Sequence, residues 1–164
     1  MTSRGQEDGP RGGTRGSPTS ELPRQLTAAE LGELFEGRTR FVERLAAEED
    51  PLVRARTLVH EIPDDEKREI LDAHPAIGRR AGLSARSAAE QGDDADPGVL
   101  EELARLNAEY EVRHGFRFVV FVNRRPKSDI LEVLRMRIHN PTDAELETAL
   151  GELVAIAEDR WRRR

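Results

Sequence analysis

FRFVVFV, residues 116–122, is the stretch that decides the fold class of this sequence. It is the one run with the composition of a β-strand, since it consists mainly of β-branched and aromatic side chains. The other apolar segments repeat at helical spacing, so this run has no second strand with which to form a sheet. We therefore expect a buried, extended connector between helices, and an all-α fold.

Helix boundaries on either side of this run follow from caps and apolar spacing. Thr27 with Glu30, and Thr142 with Glu145, have the T-x-x-E spacing of capping boxes, which mark helix N-termini. Together with the apolar periodicity, these signals predict a compact multi-helix bundle of about seven to nine helices. The longest predicted helices cover residues 28–49, 97–114, 126–137 and 142–161. Asp96 followed by Pro97 predicts the start of the second of these, and Gly115 predicts its end.

Composition predicts one helical domain, residues 25–164, preceded by a disordered tail, residues 1–24. Met1 and Leu22 are the only large apolar residues of the tail. Burial of so little apolar surface cannot compensate the entropy lost on ordering. The remaining chain is long enough to bury a core without disulfides or a structural metal.

Several classes of function are disfavoured by what the sequence lacks. It contains no cysteine, which excludes thiolate nucleophiles, disulfides and Cys-based zinc sites. A formal net charge of −6 argues against nucleic-acid and anionic-membrane partners. No apolar run reaches membrane-spanning length, and the N-terminus lacks the apolar region of a signal peptide, so a cytoplasmic protein is expected. No paired-histidine spacing predicts a metal site, and the basic end RWRRR is interpreted as a solvated helix C-terminus.

The segment AHPAIGRRAGLSARSAAEQG, residues 73–92, breaks the helical pattern and carries candidate chemistry. His74 precedes Pro75, which favours an extended backbone and gives the imidazole a defined direction. A histidine held in this way can act as an acid or base near neutral pH, but a histidine at a helix end is also a common structural residue. Both interpretations stay open on spacing alone. The other three histidines have the setting of structural residues in helical turns or at helix ends: His60, His114 and His139.

Ser87 and Glu90 also allow two interpretations. S-x-x-E is the pattern of a capping box, yet no long apolar helix follows it. Residues three apart lie on one side of a helix, so Ser87, Glu90 and the adjacent Gln91 can instead form part of a site.

Three cations in NRRPKSD, residues 123–129, follow the apolar run. They form either a solvated turn or a place where one guanidinium binds a carboxylate or a ureido carbonyl through its fork of donors. Arg124 and Arg125 are the candidates.

Taken in order along the chain, these pieces resemble the OHCU decarboxylase family. The resemblance covers residues 26–162 and rests on AHPAIG at 73–78, SAAEQ at 87–91, LNAEYEVRHGFRFVVFV at 106–122, and DAELETALGEL with IAEDR within 143–160. It implies an all-α bundle that forms a homodimer. His74 would be the catalytic histidine and Glu90 its carboxylate partner. The implied substrate-binding residues are Pro75, Ser87, Gln91, Val120, Val122, Asn123 and Arg125.

Two positions depart from the family pattern. Ala76 stands where many relatives carry a larger polar side chain after His-Pro, so that side chain is not required here. Relatives also use an arginine just after the apolar run, at a position that varies. Asn123 stands at one version of this position and Arg125 at the other, and Arg124 remains an alternative.

The activity implied by the resemblance is decarboxylation of 2-oxo-4-hydroxy-4-carboxy-5-ureidoimidazoline (OHCU) to (S)-allantoin in urate catabolism. The electrons released with CO₂ can flow into a neighbouring C=N bond, so no cofactor is expected. Two alternatives stay open: a protein of the same fold that acts on a different ureido or imidazole compound, and a helical interaction protein without catalysis.

Overall fold

The structure is a computed structural model that describes residues 22–78, 84, 86, 87, 90 and 96–164. Within these residues it contains seven α-helices and no strand, which confirms the predicted all-α fold. Most of the predicted tail lies outside the described residues. The helices are α1 (Ala28–Leu34), α2 (Arg40–Ala46), α3 (Pro51–Glu61), α4 (Asp64–Asp72), α5 (Pro97–His114), α6 (Lys127–Arg137) and α7 (Thr142–Arg162).

Helix α7 is the centre of the bundle and packs against α1, α3, α4 and α5. One face of α7 is buried along its whole length, because apolar side chains recur every three or four residues. None of the described helices is both long enough and apolar enough to cross a membrane. The buried apolar residues of α7 are Leu146, Ala149, Leu150, Leu153, Val154, Ile156 and Ala157.

The run at residues 116–122 is an extended connector, as predicted, and most of its side chains are buried. Among the described residues its backbone groups have no sheet partners, and side chains bind several of them instead. Arg137 of α6 donates from Nη1 to the Val119 carbonyl at 3.0 Å. The Glu152 carboxylate of α7 accepts a short hydrogen bond from the N–H of Phe121. These contacts fix the path of the connector between α6 and α7.

The prediction of one long helix over residues 28–49 is wrong. The chain turns between α1 and α2, where Glu36 and Gly37 have φ angles of 61° and 148°. Thr39 then begins α2, and its hydroxyl accepts from the N–H of Val42. The apolar spacing continues across the turn, which is why periodicity alone predicted a continuous helix.

The two predicted capping boxes have different outcomes. At α1 the box is confirmed, since the Thr27 hydroxyl accepts from the N–H of Glu30 and the Glu30 carboxylate accepts from the N–H of Thr27. The box at α7 is wrong, because Thr142 is already helical and no side chain caps this terminus. The Thr142 hydroxyl instead lies 2.9 Å from Nδ1 of His114.

Glu145 is fully buried, and its carboxylate forms hydrogen bonds with residues outside α7. Its carboxylate accepts from the Tyr110 hydroxyl at 2.7 Å, from Nε of Arg137 at 2.6 Å and from Nδ2 of Asn140 at 3.1 Å. Because Arg137 also holds the carbonyl of Val119, this network ties α5, α6 and α7 to the connector. A buried charge requires such partners, and they outcompete the local cap.

Gly115 ends α5 in the left-handed region, with φ 76°, as the sequence predicts. We expect Gly115→Ala to lower the free energy of unfolding by about 1 kcal/mol, because an L side chain is strained in this conformation. A Cβ at this position would meet no atom within 4 Å, so a clash does not contribute.

The matched control for Gly115→Ala is Gly151→Ala, which lies within α7 and also meets no atom within 4 Å. This control should raise the free energy of unfolding by about 0.5 to 1 kcal/mol, because alanine favours the helix interior. Chemical denaturation measures both variants. Equal shifts for the two substitutions would contradict the conformational explanation.

Candidate active site

A cavity of about 130 Å³ opens between the loop after α4, the connector and the C-terminal turns of α7. Its wall combines apolar connector residues with histidine, carboxylates and guanidinium groups. Such a site can enclose a small polar molecule and present acid–base groups to it. The lining residues are His74, Pro75, Ile77, Ser87, Glu90, Phe118, Val119, Val120, Phe121, Val122, Asn123, Arg124, Ile156, Asp159, Arg160 and Arg163.

His74 is the most unusual group on this wall. The residue is 5% exposed, and neither ring nitrogen has a hydrogen-bond partner among the described residues. Burial and the nearby Arg160 cation lower the pKa of His74 to about 4, although the Glu36 carboxylate acts in the opposite direction. The imidazole is therefore neutral near pH 7. A buried polar group without a partner is rare in folded proteins and suggests a functional role.

The backbone around His74 is held by a neighbouring side chain. Helix α4 ends at Asp72, and Pro75 prevents its continuation. Arg117 of the connector donates from Nη1 to the carbonyls of His74 at 2.6 Å and Asp72 at 3.1 Å. The imidazole direction is thus set through the backbone.

Arg160 of α7 organises the wall that includes Ser87 and Glu90. Its side chain is 2% exposed and forms a bidentate ion pair with Glu90, at 2.7 Å from Nε and 2.8 Å from Nη2. It also donates to Glu36 at 3.0 Å, to the Ser87 hydroxyl at 3.1 Å and to the Leu34 carbonyl at 3.0 Å. Five hydrogen bonds hold this guanidinium in one orientation.

Ser87 and Glu90 take part in the tertiary site. The Ser87 N–H donates to the hydroxyl of Ser84 at 3.1 Å, whereas the Glu90 carboxylate is bound by Arg160. These contacts favour the site interpretation over the capping box. Gln91 lies outside the described residues.

Most of the other predicted binding residues also lie on the cavity wall. Pro75, Val120, Val122 and Asn123 line it together with His74, Ser87 and Glu90. Arg125 is not among the lining residues. Its guanidinium donates to the carbonyls of Phe121 at 2.6 Å and Val122 at 3.1 Å.

Arg124 lies on the cavity wall. Asn123 and Arg124 have φ angles of 46° and 60°, and the N–H of Arg125 donates to the Val122 carbonyl at 3.0 Å. This is the geometry of a type I′ turn, which normally requires glycine or asparagine. Strained backbone of this kind is often retained at functional sites.

Sequence reasoning missed Arg160, Glu36, Asp159 and Arg163. The interpretation of RWRRR as a solvated helix end does not describe Arg160, which is buried. One signal was available. Arg160 follows Leu150, Leu153 and Ala157 at helical spacing, which places it on the buried face of α7. A charge on an apolar face requires a buried partner, but nothing in the sequence indicates Glu36 or Glu90 as that partner.

The remaining histidines lie away from the cavity wall. Nδ1 of His60 in α3 forms a hydrogen bond with the Glu147 carboxylate of α7. The His114 ring bridges the Thr142 hydroxyl and the carbonyl of Ile138. In the part of the chain that the structure describes, no group of three or more metal-ligating side chains is found.

A neutral, buried imidazole and an oriented carboxylate–guanidinium pair line one cavity of an all-helical domain, which is the composition of a candidate acid–base site for a small polar molecule. Comparison with known families agrees with this class. The family model described as OHCU decarboxylase matches residues 20–162, and the chain belongs to that family.

Known proteins similar to this chain carry related names. The uric acid degradation bifunctional protein PucL of Bacillus subtilis is 30% identical over 152 residues, which are 86% of this chain and 31% of that protein. The 2-oxo-4-hydroxy-4-carboxy-5-ureidoimidazoline decarboxylase of Haloferax volcanii is 32% identical over 106 residues, which are 62% of this chain and 63% of that protein. The matched regions thus span less than two thirds of these relatives.

Solved structures share the fold. A crystal structure of OHCU decarboxylase in the presence of (S)-allantoin superposes with a TM-score of 0.68 at 24% identity, and the match covers 82% of this chain and 96% of that one. A crystal structure of (S)-allantoin synthase gives a TM-score of 0.60 at 25% identity, with coverage of 82% and 48%.

Proposed function

We propose that this protein is a carboxy-lyase that converts OHCU to (S)-allantoin and releases CO₂. The observation that carries the proposal is His74, which is buried on the cavity wall and whose ring nitrogens form no hydrogen bond of good geometry with a described residue. Membership of the OHCU decarboxylase family supports the substrate, since relatives are named for this reaction and for uric acid degradation.

The reaction breaks one carbon–carbon bond, removes one proton from the substrate and adds two. The bond between the ring carbon and the carboxylate breaks, and its electron pair enters the adjacent C=N bond. The hydroxyl on the same ring carbon loses its proton and becomes a carbonyl. The carbon that carries the ureido group gains a proton, and so does the ring nitrogen of the former C=N bond, which yields allantoin. One of these two protons replaces the hydroxyl proton, and the other is taken up from solvent as the carboxylate leaves as CO₂. The substrate itself accepts the electrons, so the protein supplies proton transfer and orientation.

His74 is suited to the proton transfers. Its pKa of about 4 keeps the imidazole neutral in the free protein, so it can accept the hydroxyl proton. The same group, once protonated, can donate to the carbon that carries the ureido group. Because His74 lies on one wall of the cavity, delivery to one face of the ring would give a single enantiomer.

Glu90 and Arg160 would orient the substrate opposite His74. The bidentate contact with Arg160 fixes the Glu90 carboxylate, which can accept from the ureido N–H groups or the hydroxyl. The positive charge of Arg160 is matched by the two carboxylates of Glu90 and Glu36. The guanidinium therefore acts mainly as a scaffold, and it does not grip the departing carboxylate tightly, which would favour the ground state.

Arg124 is proposed to bind the ureido carbonyl of the substrate, and Arg125 is proposed to support it by binding the carbonyls of Phe121 and Val122. We expect Arg124→Ala to raise KM by about tenfold or more, with a smaller change in kcat, because a charge-assisted contact to the ground state is lost. Steady-state kinetics measures the effect.

Arg125→Ala is the comparison variant for Arg124→Ala. Its main effect should be on stability, through the carbonyls of Phe121 and Val122 that it leaves unpaired. If Arg125→Ala raises KM and Arg124→Ala does not, the assignment is reversed.

The activity test forms OHCU enzymatically in the assay mixture. Urate is converted by urate oxidase and hydroxyisourate hydrolase, and circular dichroism follows the appearance of (S)-allantoin. Added protein should accelerate this appearance above the spontaneous rate and give an optically active product. A rate and optical signal identical to those without the protein would refute the proposal.

We further propose that the protein works as a cytoplasmic homodimer, as the family resemblance implies. Light scattering coupled to size exclusion measures the oligomeric state. A monomer at assay concentration would refute the dimer without affecting the proposed reaction.

A further inference from the structure

Glu36 is a carboxylate close to the active site that lies outside the cavity wall. It occupies the turn between α1 and α2, and its φ of 61° is in the left-handed region that non-glycine residues rarely adopt. Gly37 follows it with φ 148°. Strained backbone at a charged residue indicates that the side chain is held for a purpose other than local helix formation.

A single oxygen atom of Glu36 receives three hydrogen bonds. Oε1 accepts from the hydroxyl of Ser84 at 2.6 Å, from the hydroxyl of Ser87, and from Nη2 of Arg160 at 3.0 Å. The side chain is 14% exposed. Burial opposes ionisation of this carboxyl, but the hydrogen bonds from Ser84 and Ser87 and the Arg160 cation outweigh it and lower the pKa of Glu36. It is therefore charged at neutral pH.

These contacts connect three parts of the chain. Glu36 lies after α1, Ser84 and Ser87 precede Glu90, and Arg160 lies near the end of α7. Two of the three donors, Ser87 and Arg160, are also cavity-lining residues. One partly buried carboxylate thus binds both donors and orients them.

Glu36 also contributes to the charge around His74. Arg160 and Arg117 disfavour protonation of the imidazole, whereas Glu36 favours it. Other charged groups on the cavity wall are Glu90, Asp159, Arg163 and Arg124. Removal of the Glu36 charge would leave the cationic influence of Arg160 on His74 less balanced.

We propose that Glu36 is a positioning residue, which orients Ser87 and Arg160 from behind the cavity wall and balances the charge of Arg160 next to His74. Its effect on turnover rests on the proposed decarboxylase function. Its effects on His74 and on the geometry of Arg160 do not.

Two substitutions separate geometry from charge. In Glu36→Gln the amide oxygen can accept the same three hydrogen bonds, so mainly the charge is lost. In Glu36→Asn the side chain is one methylene shorter and cannot reach the donors, while asparagine tolerates left-handed backbone. Backbone strain is therefore not the cause of any loss in Glu36→Asn.

The expected results differ between these variants. Glu36→Asn should lower kcat/KM by at least about tenfold, because misplaced groups in an active site are costly. Glu36→Gln should keep more of the activity but lower the pKa of His74. NMR titration of the His74 ring protons, assigned with His74→Gln, measures this shift.

Glu43→Gln is the matched control, since Glu43 is an exposed carboxylate paired with Arg38. It should change neither kcat/KM nor the pKa of His74.

An unchanged His74 titration in Glu36→Gln would overturn the proposal, and so would wild-type kcat/KM in Glu36→Asn. If Glu36→Asn does not fold, the titration of Glu36→Gln decides alone. If the wild-type protein has no decarboxylase activity, the titration still tests Glu36, so failure of the proposed reaction and failure of this inference are distinguishable.

Discussion

His74→Gln is expected to lower kcat by roughly 10²- to 10⁴-fold, the range typical for loss of a general acid–base group. Glutamine fills a similar volume and can form hydrogen bonds, but it cannot exchange a proton near neutral pH. The variant should remain folded, because neither ring nitrogen of His74 bonds another described residue. The coupled urate assay measures the rate, and circular dichroism in the far ultraviolet checks the fold.

The control for His74→Gln is His60→Gln, which removes an imidazole that pairs with Glu147 between α3 and α7. It should keep wild-type turnover. Near-normal turnover by His74→Gln would contradict the acid–base role. A matching loss in His60→Gln would point to a general effect of histidine removal on stability.

His74→Gln should also change how the free energy of unfolding depends on pH. The pKa of His74 is about 4 in the folded protein and 6.5 in its unperturbed state. Between these values the unfolded chain binds more protons, so the free energy of unfolding falls as the pH decreases through this window. Below the window the contribution of His74 is constant. His74→Gln should therefore lose less stability on acidification than the wild type, and identical pH dependence would contradict the lowered pKa.

Arg160→Met is expected to have the second large effect, on both stability and activity. It leaves the partly buried carboxylates of Glu36 and Glu90 without their cation. Breaking a fully buried pair by removing one partner costs about 3 to 5 kcal/mol, so we expect a loss near the lower end of that range, because both carboxylates keep some contact with solvent. The orientation of Ser87 and Glu90 is lost with the guanidinium, so we expect kcat/KM of the folded protein to fall at least about 100-fold.

Urea denaturation and steady-state kinetics measure these two effects of Arg160→Met. Arg162→Met is the matched control, since Arg162 lies on the same helix with a half-exposed side chain paired to Glu158. It should change stability by less than about 1 kcal/mol. Arg160→Lys keeps the charge without the planar fork, so it should recover part of the stability and little of the activity. Wild-type behaviour of Arg160→Met would refute the central role of this residue.

Local features of the fold could be predicted from the sequence because each depends on residues close together along the chain. The Thr27–Glu30 cap, the Asp96–Pro97 start and the Gly115 end of α5 are of this kind. The extended connector at 116–122 was predictable because it had no partner strand. The break at Glu36–Gly37 and the absent cap at Thr142 were not, because tertiary contacts outcompete the local pattern there.

The residues of the candidate site also fall into a group predictable from local sequence and a group that only the tertiary structure reveals. The sequence by itself determined that His74, Ser87 and Glu90 were candidates, because a His-Pro step and an S-x-x-E turn are local patterns, and the family resemblance then gave them roles. Only the tertiary structure brought Arg160 to Glu90 and Glu36, which lie 70 and 124 positions away in the chain. A buried charge must find an opposite charge somewhere, but sequence spacing carries no information on partners this distant. Packing of α7 against α1 determines which carboxylates meet the guanidinium.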